Sequence, residues 1–279
     1  MVNAKIRSIG TRDALSVTSS KYISLDCSPT RDSFLSTTVP VKGDPETMAP
    51  SFSEIKIFAN RDLLEQPFLP ELRAVINASY RNHEIDPIGK IRDRLQTDTQ
   101  IANEVGEGGF TALALARDEI VGTASVKKWD PEGFVWKSPR RYTGRSAEEL
   151  RALPAAGRES GHSATDTVPC DGDFEVLIVA VKPGERYRKR GIAESLVKAC
   201  EEELQRRYTP EPNGSSHLRV MVKVVPEING RYWLKKGFRV VGEAYCPPFT
   251  WDLADAFILW AMRRELQVGD PCEQILSSN

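Results

Sequence analysis

Nine residues, DFEVLIVAV (Asp173–Val181), carry apolar side chains at almost every position. A strand with one wet face alternates apolar and polar residues. An unbroken run suits a strand buried on both faces, at the centre of a sheet with layers above and below it. The chain then passes through KPGERYRKRG into IAESLVKACEEEL. There Ile192, Leu196, Val197, Cys200 and Leu204 fall on one stripe at helical spacing. A central strand, a short turn and an amphipathic helix in succession restrict the fold to α/β, with helices laid on a sheet.

The turn is basic. Arg186, Arg188, Lys189 and Arg190 precede Gly191, in a chain whose formal net charge is -1. So even a balance gives no overall field for nucleic acid or an anionic membrane, and this cluster must answer a local anion. A helix start leaves about four amides unpaired and carries about half a positive charge. Gly191 turns the chain without a Cβ, and Ala193 stays small beside it. Forked guanidinium donors upstream complete a phosphate cradle that suits a diphosphate better than a single phosphate. The segment is neither a P-loop, which needs Gly-Lys-Ser or Gly-Lys-Thr, nor the three-glycine dinucleotide fingerprint.

The rest of the chain falls into place around this unit. Residues 1–50 are rich in Ser, Thr and Pro with little periodicity, and read as an extended or poorly ordered arm. A domain over 51–279 follows. SFSEIKIFA alternates like a strand, and Leu72, Val75, Ile76 and Tyr80 make an amphipathic helix. A second helix is expected over Ile91–Val105, then a hairpin of Phe110–Arg117 and Ile120–Trp129. Residues 130–172 break the rhythm with prolines and glycines, and only AEELRAL within them looks helical. After the central unit come a strand at His217–Val225, a short helix in EINGRYWLKKGF stopped by Gly237, and two closing strands, RVVGEAYC and AFILWAMRREL. The order is β-α-α-β-β, a long insertion, then β-α-β-α-β-β.

Five dispersed cysteines lack metal-ligand spacing, and three histidines show no i, i+4 pair. These exclude a structural zinc framework and indicate reduced thiols, which places the protein in the cytoplasm, with a nuclear or organellar compartment as the alternative. There is no apolar run of the roughly 18 residues that a spanning helix needs. No sheet surface combines aromatic and basic residues in the way RNA binding requires.

With these elements in order, the chain resembles the GNAT superfamily of N-acetyltransferases. The acetyl-CoA motif of that family is Arg or Gln, two residues, Gly, one residue, then Gly or Ala. Here it reads Arg188, Lys189-Arg190, Gly191, Ile192, Ala193. A second match lies about 40 residues on, where YWLKKGF (Tyr232–Phe238) resembles the family's helix ending in Gly-Phe. The element order agrees over residues 53–266. The resemblance implies a mixed, mostly antiparallel central sheet with a splayed parallel strand pair and helices on both faces. It implies acetyl-CoA as cofactor and transfer of its acetyl group to a primary amine, of a small metabolite or amino compound. A protein or peptide acceptor, and a CoA-binding regulatory protein without activity, are the alternatives.

The resemblance also assigns roles by position. Arg186, Tyr187, Arg188, Lys189, Arg190, Gly191, Ile192, Ala193 and Glu194 would hold the CoA diphosphate. Val179 and Val181 would pair with pantetheine as an added strand, the Val181 amide facing the thioester carbonyl. Asn229 and Trp233 would border the cofactor. A free amine, with a pKa near 10, must lose a proton before it attacks. Glu175 lies six residues before Val181, where histone acetyltransferases of the family carry their glutamate, and is the base candidate, ahead of Asp173 and His217. The other reading of Glu175 is an ion pair with a nearby arginine at the wet end of the strand. The family's thiolate donor, a tyrosine four residues before the Gly, is replaced by Trp233, leaving Tyr232 one residue away as the candidate acid. The acceptor would lie between Tyr80–Ile85, with Tyr80 and His83, and Tyr245–Trp251, with Tyr245 and Phe249, whose prolines and aromatics suggest a rigid apolar wall, and the 130–172 insertion would be a lid.

Overall fold

The computed structural model describes residues 52–81, 93–131, 133–144, 147–152, 161–208 and 217–267. By its contacts the chain divides into two units, Met1–Glu46 and Thr47–Asn279, and every described residue belongs to the second. The arm expected over 1–50 and the candidate His83 lie outside the described residues.

Seven strands form one sheet: β1 (Glu54–Ala59), β2 (Phe110–Ala116), β3 (Glu119–Lys128), β4 (Asp173–Val181), β5 (Leu218–Val224), β6 (Arg239–Cys246) and β7 (Phe257–Leu266), in the spatial order β1-β2-β3-β4-β5-β7-β6. Every neighbouring pair is antiparallel except β4 with β5. This is the sheet that the resemblance implied.

Both faces are covered. On one lie α1 (Asn60–Leu64), α2 (Leu69–Tyr80) and α3 (Gln100–Val105), whose Leu63, Leu72, Ile76 and Ile101 pack on Leu113, Ile120, Ile178 and Ala180. On the other lies α5 (Ile192–Arg207), which buries the predicted stripe of Ile192, Leu196, Val197, Cys200 and Leu204. Each large apolar side chain so removed from water contributes about 1.5–3 kcal/mol. A five-residue π turn (Pro226–Gly230) leads into α6 (Arg231–Lys235) on that same face. Gly237 takes φ +81°, a conformation open to glycine, and ends α6 as expected.

Two expectations need correction. The helix anticipated over 91–105 occupies only Gln100–Val105. Ahead of it, the buried Asn77 side chain donates to the Leu95 carbonyl and accepts from the Leu95 amide, each at 2.8 Å. These two bonds satisfy the groups that a helix would have paired internally, so the segment stays a loop. The short α1 was not anticipated.

The insertion between β3 and β4 holds α4 (Ala147–Ala152), at AEELRAL as expected. It is fastened to the sheet edge. Lys137 and Glu243 exchange backbone bonds of 2.8 and 2.9 Å, which extends β6 by one bridge. The buried Glu243 carboxylate accepts from the Tyr142 amide (2.7 Å), the Thr143 amide (3.2 Å), the Thr143 hydroxyl and the Trp260 indole (3.2 Å). Trp136 and Ala164 pack in the same cluster as Phe257 and Leu259. Replacing Glu243 by Ala leaves the Tyr142 and Thr143 amides and the Thr143 hydroxyl without their acceptor, while the indole keeps the Thr143 oxygen at 3.1 Å. The expected loss is roughly 2–4 kcal/mol in urea unfolding. Limited trypsin digestion should then cut between 133 and 163 before it cuts the sheet; an unchanged midpoint and cleavage pattern would refute this role.

Candidate active site at the fork between two strands

β4 and β5 are paired only from Asp173–Arg219 to Glu175–Met221; beyond that point the two strands part. The closed end is held by the Asp173–Arg219 pair (Oδ2 to Nη2, 2.5 Å) and by the Cys170 amide donating to Asp173 (2.9 Å). Asp173 is thus committed to holding the fork. The open end is set by a bulge in β4. Its partners in β3 run from Thr123–Ala180 to Ser125–Leu177, so β4 carries one extra residue. Ile178 there has φ +50°. A β-branched residue in that region costs about 1–3 kcal/mol, and such strain persists where surrounding packing over-determines it. The bulge also inverts the side-chain alternation. Val176 and then Val179 and Val181 face the α5 layer, while Ile178 and Ala180 face α2.

The gap between the parted strands is a cleft of about 710 Å³. It is lined by Val179, Glu175 and Lys223 from the fork, Asn229 and Trp233 from the π turn and α6, and Tyr80, Arg94 and Glu104 from the α2–α3 side. Phe134 from the insertion and Trp251 from the β6–β7 loop close its outer end. Five of the candidates named from sequence therefore share one cleft: Glu175, Val179, Asn229, Trp233 and Tyr80.

Glu175 is buried. It accepts from Lys223 at 3.1 Å and lies 3.8 Å from the Lys127 ammonium. Burial raises its pKa above the usual carboxylate range, against the pull of Lys223 and Lys127. A carboxylate moved upward is better matched to taking a proton near neutral pH. Glu175 is ion-paired, but it is buried rather than at a wet strand end, and its partners are lysines instead of an arginine. Tyr80 leaves about a third of its surface (36%) in solvent, yet enclosure of its hydroxyl end beside Arg94 raises its pKa. Arg94 in turn grips Glu104, donating at 2.7 Å through Nη1.

The helix mouth follows the open end of β4. Gly191 takes φ +75°, and a Cβ built there would meet nothing within 4 Å, so the turn faces open space. Lys189 also has positive φ (56°), and turns of this kind converge successive amides on an anion. No backbone carbonyl among the described residues accepts from the amides of Lys189 to Glu194. Arg186, Arg188, Lys189 and Arg190 are all exposed. The remaining members of the motif have structural duties. Tyr187 is buried and donates to Glu119 (3.0 Å), which also holds Lys182. The Ile192 side chain is core, leaving only its amide at the mouth, and Ala193 is half-buried. Glu194 pairs with Lys236 at 2.6 Å. Val181 ends β4 opposite Gly122 of β3.

Tyr232, Tyr245, Phe249 and His217 stand apart from the cleft lining. Tyr232 packs with the α5 layer, its hydroxyl buried without a partner, and burial raises its pKa. The one-residue offset from Trp233 turns it by about 100° away from the cleft, which Trp233 lines instead. Tyr245 packs on Tyr142 and Ile258, and Phe249 is 72% exposed beside the cleft loop. His217, at the start of β5, is exposed. Cys200 and Cys246 are buried, with thiols pushed up to about 12, which leaves them unreactive.

Sequence reasoning missed Lys127, Lys223, Arg94, Glu104 and Phe134 as site residues, while Trp251, at the end of the stretch expected to form an apolar wall, does line the cleft. Lysines inside two apolar strands, SVKK and MVKV, were the available signal for the first two.

No family model matches the chain, and no curated protein is similar to it in sequence. Solved structures similar to it include three. The ribosomal-protein-alanine N-acetyltransferase from Brucella melitensis is 15% identical over 77% of this chain and 100% of that one, with a TM-score of 0.43. An aminoglycoside 6'-N-acetyltransferase complexed with coenzyme A is 13% identical over 78% and 100%, with a TM-score of 0.43. An acetyltransferase of the GNAT family from Streptococcus pneumoniae is 14% identical over 77% and 100%, with a TM-score of 0.41. All three are acetyltransferases. No helix among the described residues is long and apolar enough to cross a membrane.

Proposed function

We propose that the protein is an acetyl-CoA-dependent N-acetyltransferase acting on a primary amine. The observation that carries the reading is the parting of β4 from β5 beyond Glu175, beside an open helix mouth with a left-handed Gly191. The residues present fit the cofactor. The amides from Lys189 to Ala193, with Arg188 and Arg190, suit its diphosphate, and the free edge of β4 along Val179 to Val181 suits an extended chain laid beside it. When bound, acetyl-CoA would supply an activated acetyl group: an N–C bond to the acceptor would form as the thioester C–S bond breaks, with CoA leaving as a thiolate that takes its proton from solvent.

The protein's own groups handle the proton. Glu175 accepts it from the attacking nitrogen, at Oε2 or the neighbouring oxygen. Lys223 and Lys127 orient the carboxylate and, as like charges, lower the pKa of an ammonium brought beside them, favouring the free amine. A second reading, a CoA-binding protein without catalysis, is favoured by Trp233, which lines the cleft where the family carries a hydroxyl donor.

Thermal unfolding with acetyl-CoA, CoA, ATP and NAD tests the cofactor, and thiol release with a panel of amines tests the activity. CoA and acetyl-CoA should raise the midpoint, and at least one amine should release thiol. A shift without turnover on any amine would leave the binding reading alone; no shift would sink both.

A further inference from the structure

We propose that the acceptor is a monoamine with an aromatic ring a few atoms from its nitrogen, and that Phe134 and Trp251 form the wall on which that ring lies. This rests on the transferase reading above.

The two rings meet edge to face, 5.6 Å between centroids, at the outer end of the cleft. Trp251 keeps 49% of its surface in solvent, a large apolar area to leave uncovered at a cleft mouth. It is held there against its own backbone preference. Trp251 has φ +54°, Asp252 +58° and Phe249 +69°, three residues other than glycine in the left-handed region within one short loop. Strain of this kind gathers at ligand clamps. The insertion brings Phe134 from the far side in sequence, so two separate segments converge on one feature.

Reach and charge then define the ligand. Lys223 Nζ lies 3.1 Å from Glu175 and 5.8 Å from the centre of the Phe134 ring. A nitrogen at Glu175 therefore leaves its carbon substituent within a few atoms of the wall. Of the four carboxylates in the cleft, Asp93, Glu104 and Glu175 are already paired with Arg81, Arg94 and Lys223. Negative charge that would draw a polycation is thus largely neutralised, and Lys223 and Lys127 repel a second ammonium. The recognition left over is apolar and aromatic.

Calorimetry of the full chain without acetyl-CoA should show 2-phenylethylamine binding at least tenfold tighter than butylamine, with spermidine weaker than both. In the presence of acetyl-CoA, thiol release should follow the same order in kcat/KM. Trp251→Gly accepts the left-handed backbone, which offsets the lost ring contacts with Phe134 and Phe257, so its thermal midpoint should stay close to that of the native chain, while the tenfold preference for the ring collapses. A preference for spermidine, no binding of any amine, or a ratio unchanged in Trp251→Gly would overturn the proposal. Turnover with equal efficiency on butylamine and 2-phenylethylamine would overturn the wall and leave the transferase standing. Selective binding of 2-phenylethylamine with no turnover of any amine would support the wall and overturn the transferase.

Discussion

Glu175→Gln should lower kcat by about a hundredfold or more while leaving the acetyl-CoA midpoint shift in place. The substitution keeps the size of the side chain and an acceptor oxygen for Lys223, now 3.1 Å from the carboxylate, so the cleft geometry survives. What is lost is a site for the proton. The pH profile gives a second readout. The base must be ionised to work, so native activity falls as pH drops through its pKa. Burial raises that pKa, which places the acid limb above the ordinary carboxylate range. The limb should vanish in the Gln variant. Stopped-time thiol assays between pH 5 and 9 would measure it; a variant within tenfold of native activity, with the limb intact, would remove Glu175 from the chemistry.

Reversing the helix mouth, with Arg188→Glu and Arg190→Glu together, should raise the KM for acetyl-CoA by about a hundredfold and abolish the CoA-induced midpoint shift. Charge-assisted bonds to phosphate contribute about 1.5–3 kcal/mol each, and the reversal adds repulsion on the same turn. Both side chains are exposed, so the midpoint without ligand should hardly move. The native KM for acetyl-CoA should also rise with salt, and the variant should lose that dependence. An unchanged KM in the reversed protein would mean that the diphosphate does not bind there.

The sequence carried the order of elements along the chain because each had its own period, while the arrangement of the sheet came from the resemblance. Ile192, Leu196 and Cys200 repeat at helical spacing, and Ile55 and Ile57 alternate. The fork was less readable. DFEVLIVAV is apolar on both faces, so an extra residue at Ile178 leaves no trace in the pattern, although it reverses which side chains face α2. Glu175 was legible because a carboxylate in such a run needs a reason. Its partners were not, since Lys127 and Lys223 belong to strands distant in sequence. Phe134 was hidden for another cause, since it lies in an irregular insertion without periodicity. Trp251 fell within the stretch expected to form an apolar wall, but its left-handed backbone contradicts the local preference of its residue type.

β6 ends the sheet, and its outer edge carries the Lys137 bridge and the residues gathered on Glu243. An uncapped terminal strand is a template on which another copy can dock and extend into fibrils. Excising the 130–172 segment would therefore exchange a capped sheet edge for one prone to self-association. Truncations for crystallisation or screening are better placed elsewhere in the chain.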